Sequence, residues 1–366
     1  SIDSIYKRIS SLEDSTRARI LLEETWKRRS NEPLIALQLA KEALKLYSTI
    51  DDKYGITRAN NFLGIIYVNI GAFELAYEHH KEALKNAQAA KHQDQIAYSY
   101  NNLGEIFRIK NDVVRATEYI QRAIQIFETN KNQRGLAYCY VNLARLYNSQ
   151  DDLNKALEFF EKASEIAHRL NYEDMHDRIL LAIARIAQRK GDFTRAEKSF
   201  KELETHYNKT NYLKGIAGVW RGLGELSYQK KNYEGALGYT LKAIELNRKL
   251  YNAEGEINSL NSIARIYLAL NNLGAGEKYL SLALQKAREI NSSSLIAATY
   301  KTYYELYKQA GQLDSALLYH EKYYNLKDSI VTKEEIIKLG ELEALLKIEK
   351  TEREKEIIQK ELENQT

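Results

Sequence analysis

Few residues in this sequence have the type and spacing that covalent chemistry needs, and each of them has a plainer use. Gly222-x-Gly224 looks like a phosphate-cradling loop, yet no strand precedes it and it lies inside a stretch of helical periodicity. His79 and His80 are adjacent, so on a helix they point to different sides and cannot share one metal ion in the usual i, i+4 manner. Cys139 is the single cysteine, which excludes an internal disulfide and a cysteine-based metal cluster. It sits between Tyr138 and Tyr140 with no histidine at motif spacing, and reads as a small packing residue. No acid, base and nucleophile converge, so the sequence points to a non-catalytic protein with no cofactor and no metal.

Recognition chemistry is better represented. Polar residues recur in columns 40 positions apart: Asn61, Asn101 and Asn261 in one, Asn102 and Asn142 in the next. A third column is charged, with Glu105, Arg145, Arg185, Glu225, Arg265 and Glu305. An Asn amide donates and accepts at once, which suits gripping the backbone of an extended peptide. Alternating Glu and Arg would equally pair between neighbouring repeats on a solvated face, and both uses stay open.

Columns imply repeated elements. Leu103-Gly104-Glu105-Ile106-Phe107 returns 40 residues later as Leu143-Ala144-Arg145-Leu146-Tyr147, and Leu223-Gly224-Glu225-Leu226-Ser227 belongs to the same series. Ala36, Ala76, Ala116, Ala156, Ala196 and Ala236 keep the same step, where small residues let two helices approach closely. Apolar positions predict one amphipathic helix over 97–110 and a second over 113–127, separated by the polar pair Asn111-Asp112. Such a hairpin cannot bury its apolar face alone, so the hairpins must stack, and the reading is one body through residue 326. One proline and 17 glycines in 366 residues leave the chain almost free of helix breakers. A net charge of +4 with interspersed signs makes no electrostatic case for nucleic acid, and no apolar run is long enough to span a membrane. The chain starts at Ser1 and its only methionine is Met175, so an N-terminal stretch, a signal peptide among the options, is expected to have preceded it.

Trp220, Leu223, Gly224, Ala236 and Ala243 resemble the signature of tetratricopeptide (TPR) repeats, with a unit roughly six residues longer than the usual 34. The small-residue columns favour this family over HEAT and armadillo repeats of similar period. The resemblance implies an all-α, right-handed superhelix of about eight hairpins (near 18–56, 57–96, 97–136, 137–176, 177–216, 217–256, 257–296 and 297–326), followed by a charged C-terminal helix over 327–366. Ile2-Asp3-Ser4-Ile5 and Tyr323-Tyr324-Asn325-Leu326-Lys327-Asp328-Ser329-Ile330 resemble the ends of TPR sensor regions in Bacteroidetes histidine kinases and helix-turn-helix regulators.

That resemblance implies a sensor facing the periplasm, a peptide or protein ligand, and a membrane tether and output module outside this chain. It also implies that first helices line the concave groove. Arg58, Tyr98, Tyr138 and Arg178 then form one groove column, joined by Asn61, Asn101, Asn102, Glu105, Asn142, Arg145, Arg185, Arg221, Glu225, Asn261 and Arg265. The carboxylate clamp of co-chaperone TPR proteins is disfavoured, because its lysine has no counterpart except Lys301. Direct nucleic-acid binding by this segment is not expected, and a homodimer through the C-terminal helix stays open, since its heptad does not persist. The alternatives are a cytoplasmic scaffold and, less favoured, a Rap-type phosphatase, whose separate N-terminal bundle has no room when repeats begin by about residue 18.

Overall fold

The computed structural model describes residues 2–29 and 32–330. Residues 331–366, most of the expected charged helix and its coiled-coil reading, lie outside them. Two compact units divide the chain, Ser1–Lys190 and Gly191–Thr366. The first holds α1 (Ile2–Ile9), α2 (Asp14–Arg28), α3 (Pro33–Thr49), α4 (Lys53–Asn69), α5 (Phe73–Ala89), α6 (Gln93–Ile109), α7 (Val113–Thr129), α8 (Gln133–Ser149), α9 (Leu153–Arg169) and α10 (Glu173–Lys190). The second holds α11 (Phe193–Lys209), α12 (Leu213–Gln229), α13 (Tyr233–Lys249), α14 (Ala253–Ala269), α15 (Leu273–Glu289) and α16 (Ser293–Gln309), with a further helical stretch over 313–330. No strand occurs among the described residues.

The period has a local cause. Helices of 17 residues are joined by connectors of three, such as Lys110-Asn111-Asp112. Asn111 adopts a left-handed φ of 58°, and the Asp112 and Asn111 amides donate back to the Phe107 and Arg108 carbonyls at 2.8 and 3.0 Å. This double bond closes one helix as a Schellman motif. Asp112 then opens the next helix, its carboxylate accepting the Arg115 amide at 3.0 Å. Asp52, Asn132, Asp152, Asp192, Asn232, Asn252, Asn272 and Ser292 cap their helices in the same way. The helix expected over 97–110 is therefore Gln93–Ile109: its first turn is polar, invisible to apolar periodicity, and is set by the preceding connector.

Small residues bring the two helices of a hairpin together. A Cβ on Gly104 would come 2.6 Å from Ile120 Cγ1 and 3.2 Å from the Ala116 carbonyl oxygen, so the α6 backbone meets both side chain and backbone of α7 there. Gly222 and Gly224 do the same within α12, against Phe200 and Thr240, which makes them packing glycines. Cys139 is fully buried among Phe127, Leu136 and Leu143. Tyr100, Tyr140 and Tyr300, expected in the core, are half-buried. They form ring contacts across their hairpins, to Tyr119, Phe159 and Tyr319 at 5.7, 5.9 and 5.8 Å.

Within each unit, first helices touch the first helices of the neighbouring hairpins (α2 with α4, α4 with α6, α6 with α8; α12 with α14, α14 with α16). Second helices meet mainly the first helices on either side of them. An inner layer of closely spaced first helices results, and its free faces are where a ligand can be held.

Candidate functional site

In the first unit, the inner faces of α2, α4, α6 and α8 enclose a groove of about 1020 Å³. Trp26, Tyr54, Phe62, Tyr98 and Tyr138 form its aromatic wall. Trp26 and Phe62 pack 5.1 Å apart, and Tyr98 and Tyr138 meet edge to face at 6.4 Å. Burial pushes the Tyr98 phenol up to about 12, so it stays neutral and able to donate. The Arg58 guanidinium lies over the rings of Tyr54 and Phe62, at 5.8 and 5.9 Å.

The acids in the groove are occupied. Asp94 accepts from the Asn130 and Asn132 side chains at 2.9 and 3.0 Å, and Glu23 accepts from Arg19 at 2.6 Å. Connector residues thus form part of the rim, because a three-residue connector leaves its side chains beside the first turn of the next helix.

Of the residues singled out in the sequence, Arg58, Asn61, Tyr98, Asn101, Asn102 and Tyr138 line this groove. The asparagines are also engaged within the protein. Asn61 donates to Ser99 Oγ at 3.0 Å and accepts from Asn102 at 3.2 Å, with the buried His80 ring 3.1 Å away. Asn142 donates to Asn101 Oδ1 at 3.1 Å, and Asn261 to Thr299 Oγ1 at 3.2 Å. These bonds tie each repeat to the next, and Asn61, Asn101, Asn142 and Asn261 are buried.

The charged column is paired in each unit. Glu105 holds Arg108 with two bonds of 2.7 and 2.9 Å and lies 3.6 Å from Arg145; Glu225 holds Arg265 at 2.6 Å. Arg178 and Arg185 stand exposed on α10. Arg221, Glu225, Asn261 and Arg265 belong to the second unit and not to this groove. His79 stacks on Tyr67 while His80 packs against Gly64, so the two rings serve different contacts. Among the described residues, no three His, Cys, Asp or Glu side chains are placed to hold a metal, and no helix is long and apolar enough to cross a membrane.

Stacked helical hairpins with this connector and these small-residue contacts are the architecture of one repeat class. Residues 28–218, more than half of the 366, match the MalT-like TPR region. The chain belongs to this TPR family. No curated protein matches it in sequence. Solved structures share the TPR fold at low identity. A STAND (signal transduction ATPase with numerous domains) protein with a tetratricopeptide repeat sensor from Pyrococcus horikoshii is 17% identical, with a TM-score of 0.67 over 91% of this chain. The TPR chain spans about half of that protein, 53% of its length. Aspartyl phosphate phosphatase F from Bacillus subtilis is 16% identical, with a TM-score of 0.57 over 89% of this chain and 88% of its own. A Rap protein complexed with competence and sporulation factor is 13% identical, with a TM-score of 0.50 over 87% of this chain and 99% of its own.

Several groove residues of the TPR chain were not singled out in the sequence: Trp26, Phe62, Lys91 and the set Tyr54, Asp94, Arg134. The last three do carry a signal. They occupy one column at 40-residue steps, one helical turn before Arg58, Tyr98 and Tyr138, and Asp174 continues it. Apolar periodicity starts after this turn and passes over it.

Proposed function

We propose that the chain is the recognition region of a bacterial signalling or transcription-regulatory protein, and that it binds an extended peptide, or such a segment of a partner protein, in the groove of the first unit. The observation that carries this reading is the groove itself. Its volume of about 1020 Å³ and its mixed aromatic and polar lining are those of a ligand site, here at the upper end of the usual size. Five aromatic rings offer rigid apolar contact, and the neutral Tyr98 phenol with the Arg58 and Arg134 guanidiniums offers donors to peptide carbonyls. Because the asparagine amides already bond between repeats, these donors take over the polar contacts expected of Asn61 and Asn101. A Rap protein of the same fold holds competence and sporulation factor, which supports a ligand-holding use of such a stack.

In this reading, ligand binding changes the small rotations between hairpins, and the segment after residue 330 passes that change to an output module. The side of the membrane, a tether beyond this chain and pairing of two chains through residues 327–366 belong to the same proposal. Native mass spectrometry and thermal-shift screening of the purified chain against pooled peptides and oligosaccharides test it. Selective stabilisation that Tyr138→Ala abolishes is the expected result. Silence across all pools, with pull-downs returning only folded proteins, would replace it with the scaffold reading.

A further inference from the structure

The aromatic wall of the groove carries its own cations. Tyr54, Arg58 and Phe62 fall at i, i+4 and i+8 on α4, so their side chains follow one another along one face of the helix. The Arg58 guanidinium accordingly lies 5.8 Å from the centre of the Tyr54 ring and 5.9 Å from that of Phe62. Trp26 of α2 continues the series at 5.1 Å from Phe62, and the Arg29 guanidinium lies over the Trp26 ring at 3.7 Å. Trp26, Tyr54, Arg58 and Phe62 all line the same cavity, and Tyr54 keeps 42% of its surface open.

This series belongs to one end of the groove. The positions of Tyr54, Arg58 and Phe62 are held by Asp94, Tyr98 and Asn102 on α6 and by Arg134, Tyr138 and Asn142 on α8, so neither helix sets a cation between two rings.

The chemistry of the series selects what it can receive. The face of an aromatic ring is electron-rich and attracts a cation, so a bare aromatic cage takes a cationic ligand. Here the protein's own guanidiniums fill that role, Arg29 on Trp26 and Arg58 on Tyr54 and Phe62. A second cation would meet Arg58, Lys91 and Arg134 in the cavity, where Asp94 is already bonded by Asn130 and Asn132. A π-rich ring gains from both partners, by edge or offset contact with the rings and by stacking on the guanidinium. A saturated ring of the same size gains apolar contact alone.

We propose that the groove selects an aromatic residue of the bound segment, whose ring packs across Trp26, Phe62 and Tyr54 in contact with the Arg58 guanidinium. This deepens, and rests on, the groove reading above.

The test uses the whole chain and labelled heptapeptide pools that differ only at the central residue, which is Trp, Phe, cyclohexylalanine or Arg, read by fluorescence anisotropy. Cyclohexylalanine keeps the size and apolar surface of Phe and removes its π-system. The Trp and Phe pools should bind at least about fivefold more tightly than the cyclohexylalanine pool, with the Arg pool weakest. Arg58→Met keeps an apolar stem and removes the guanidinium. It should weaken the Phe pool more than the cyclohexylalanine pool, so that the preference falls below about twofold, with the melting temperature read alongside to show that the variant is folded. Equal affinity of the unaltered chain for the Phe and cyclohexylalanine pools would overturn the ring selection and leave the groove reading standing. Tightest binding of the Arg pool would overturn it too, by showing that the ring faces still accept a cation. A full preference that survives in Arg58→Met would remove the guanidinium from the proposed contact and overturn the selection as stated. Binding of no pool would overturn both readings.

Discussion

A single asparagine position shows how much a residue owes to its neighbour one repeat on. Asn61 Oδ1 and Asn101 Oδ1 each accept from an asparagine 41 residues later, Asn102 and Asn142. At the third such position, Asn261, the partner place is taken by Thr302, whose hydroxyl bonds Ala298 instead. Asn261 Oδ1 is left buried with no hydrogen-bond partner. Thr302→Asn supplies the missing donor and should stabilise the second unit by about 1 kcal/mol, seen as a raised melting temperature. An unchanged melting temperature would show that this oxygen has no unmet demand. His80 makes the opposite kind of demand. Desolvation holds its pKa at about 3, against 6.5 for the free side chain. A histidine lowered in this way takes up a proton more readily when unfolded, so its contribution is whole above about pH 6.5 and drains as pH falls toward about 3. Urea unfolding should lose about 2 kcal/mol between about pH 7.5 and about pH 5 from this group alone. His80→Leu, the residue that the same column carries at Leu280, should flatten that slope; an equal slope in the variant would assign it to the carboxylates.

At the scale of the element, the connector governs the spacing. From the connector after α3 onward, one residue in each connector takes a left-handed φ, and those residues fall 20 apart from Asp51 through Gly71, Lys91 and Asn111 to Gly311. Gly191 has nothing within 4 Å of where a Cβ would stand, so its φ of 79° alone favours glycine there. Tyr251 holds a φ of 51° while 96% exposed, and so bears the cost of the conformation with no packing in return. Tyr251→Gly should therefore stabilise the chain by about 1 kcal/mol, measured as a shift of the denaturation midpoint at unchanged slope. A destabilised variant would mean that the Tyr251 ring makes contacts worth more than the strain.

For the whole molecule, the consequence of repetition is that energy is shared with near neighbours only. Ile106 is fully buried in α6, and Ile106→Ala should cost about 3 kcal/mol. Hydrogen exchange should then rise in α6 and in the helices packed on it, α5, α7, α4 and α8, while α14 and α15 keep their protection. Uniform loss of protection across both units would show that the stack unfolds as one cooperative body instead.

The helical class, the 40-residue step and the packing faces were legible in the sequence, because each depends on contacts within a hairpin or between successive ones, and these recur with the residues that make them. Leu103-Gly104 and Ala116 announce their own contact wherever they are repeated. The family followed from the same columns. Tertiary structure decided what repetition hides. Asn61 and Asn101 look alike whether they face a ligand or bond across the repeat boundary, and only the stacked hairpins show that both are buried and bonded. Tyr54, Asp94 and Arg134 join the groove because the connectors fold beside them, outside the apolar pattern.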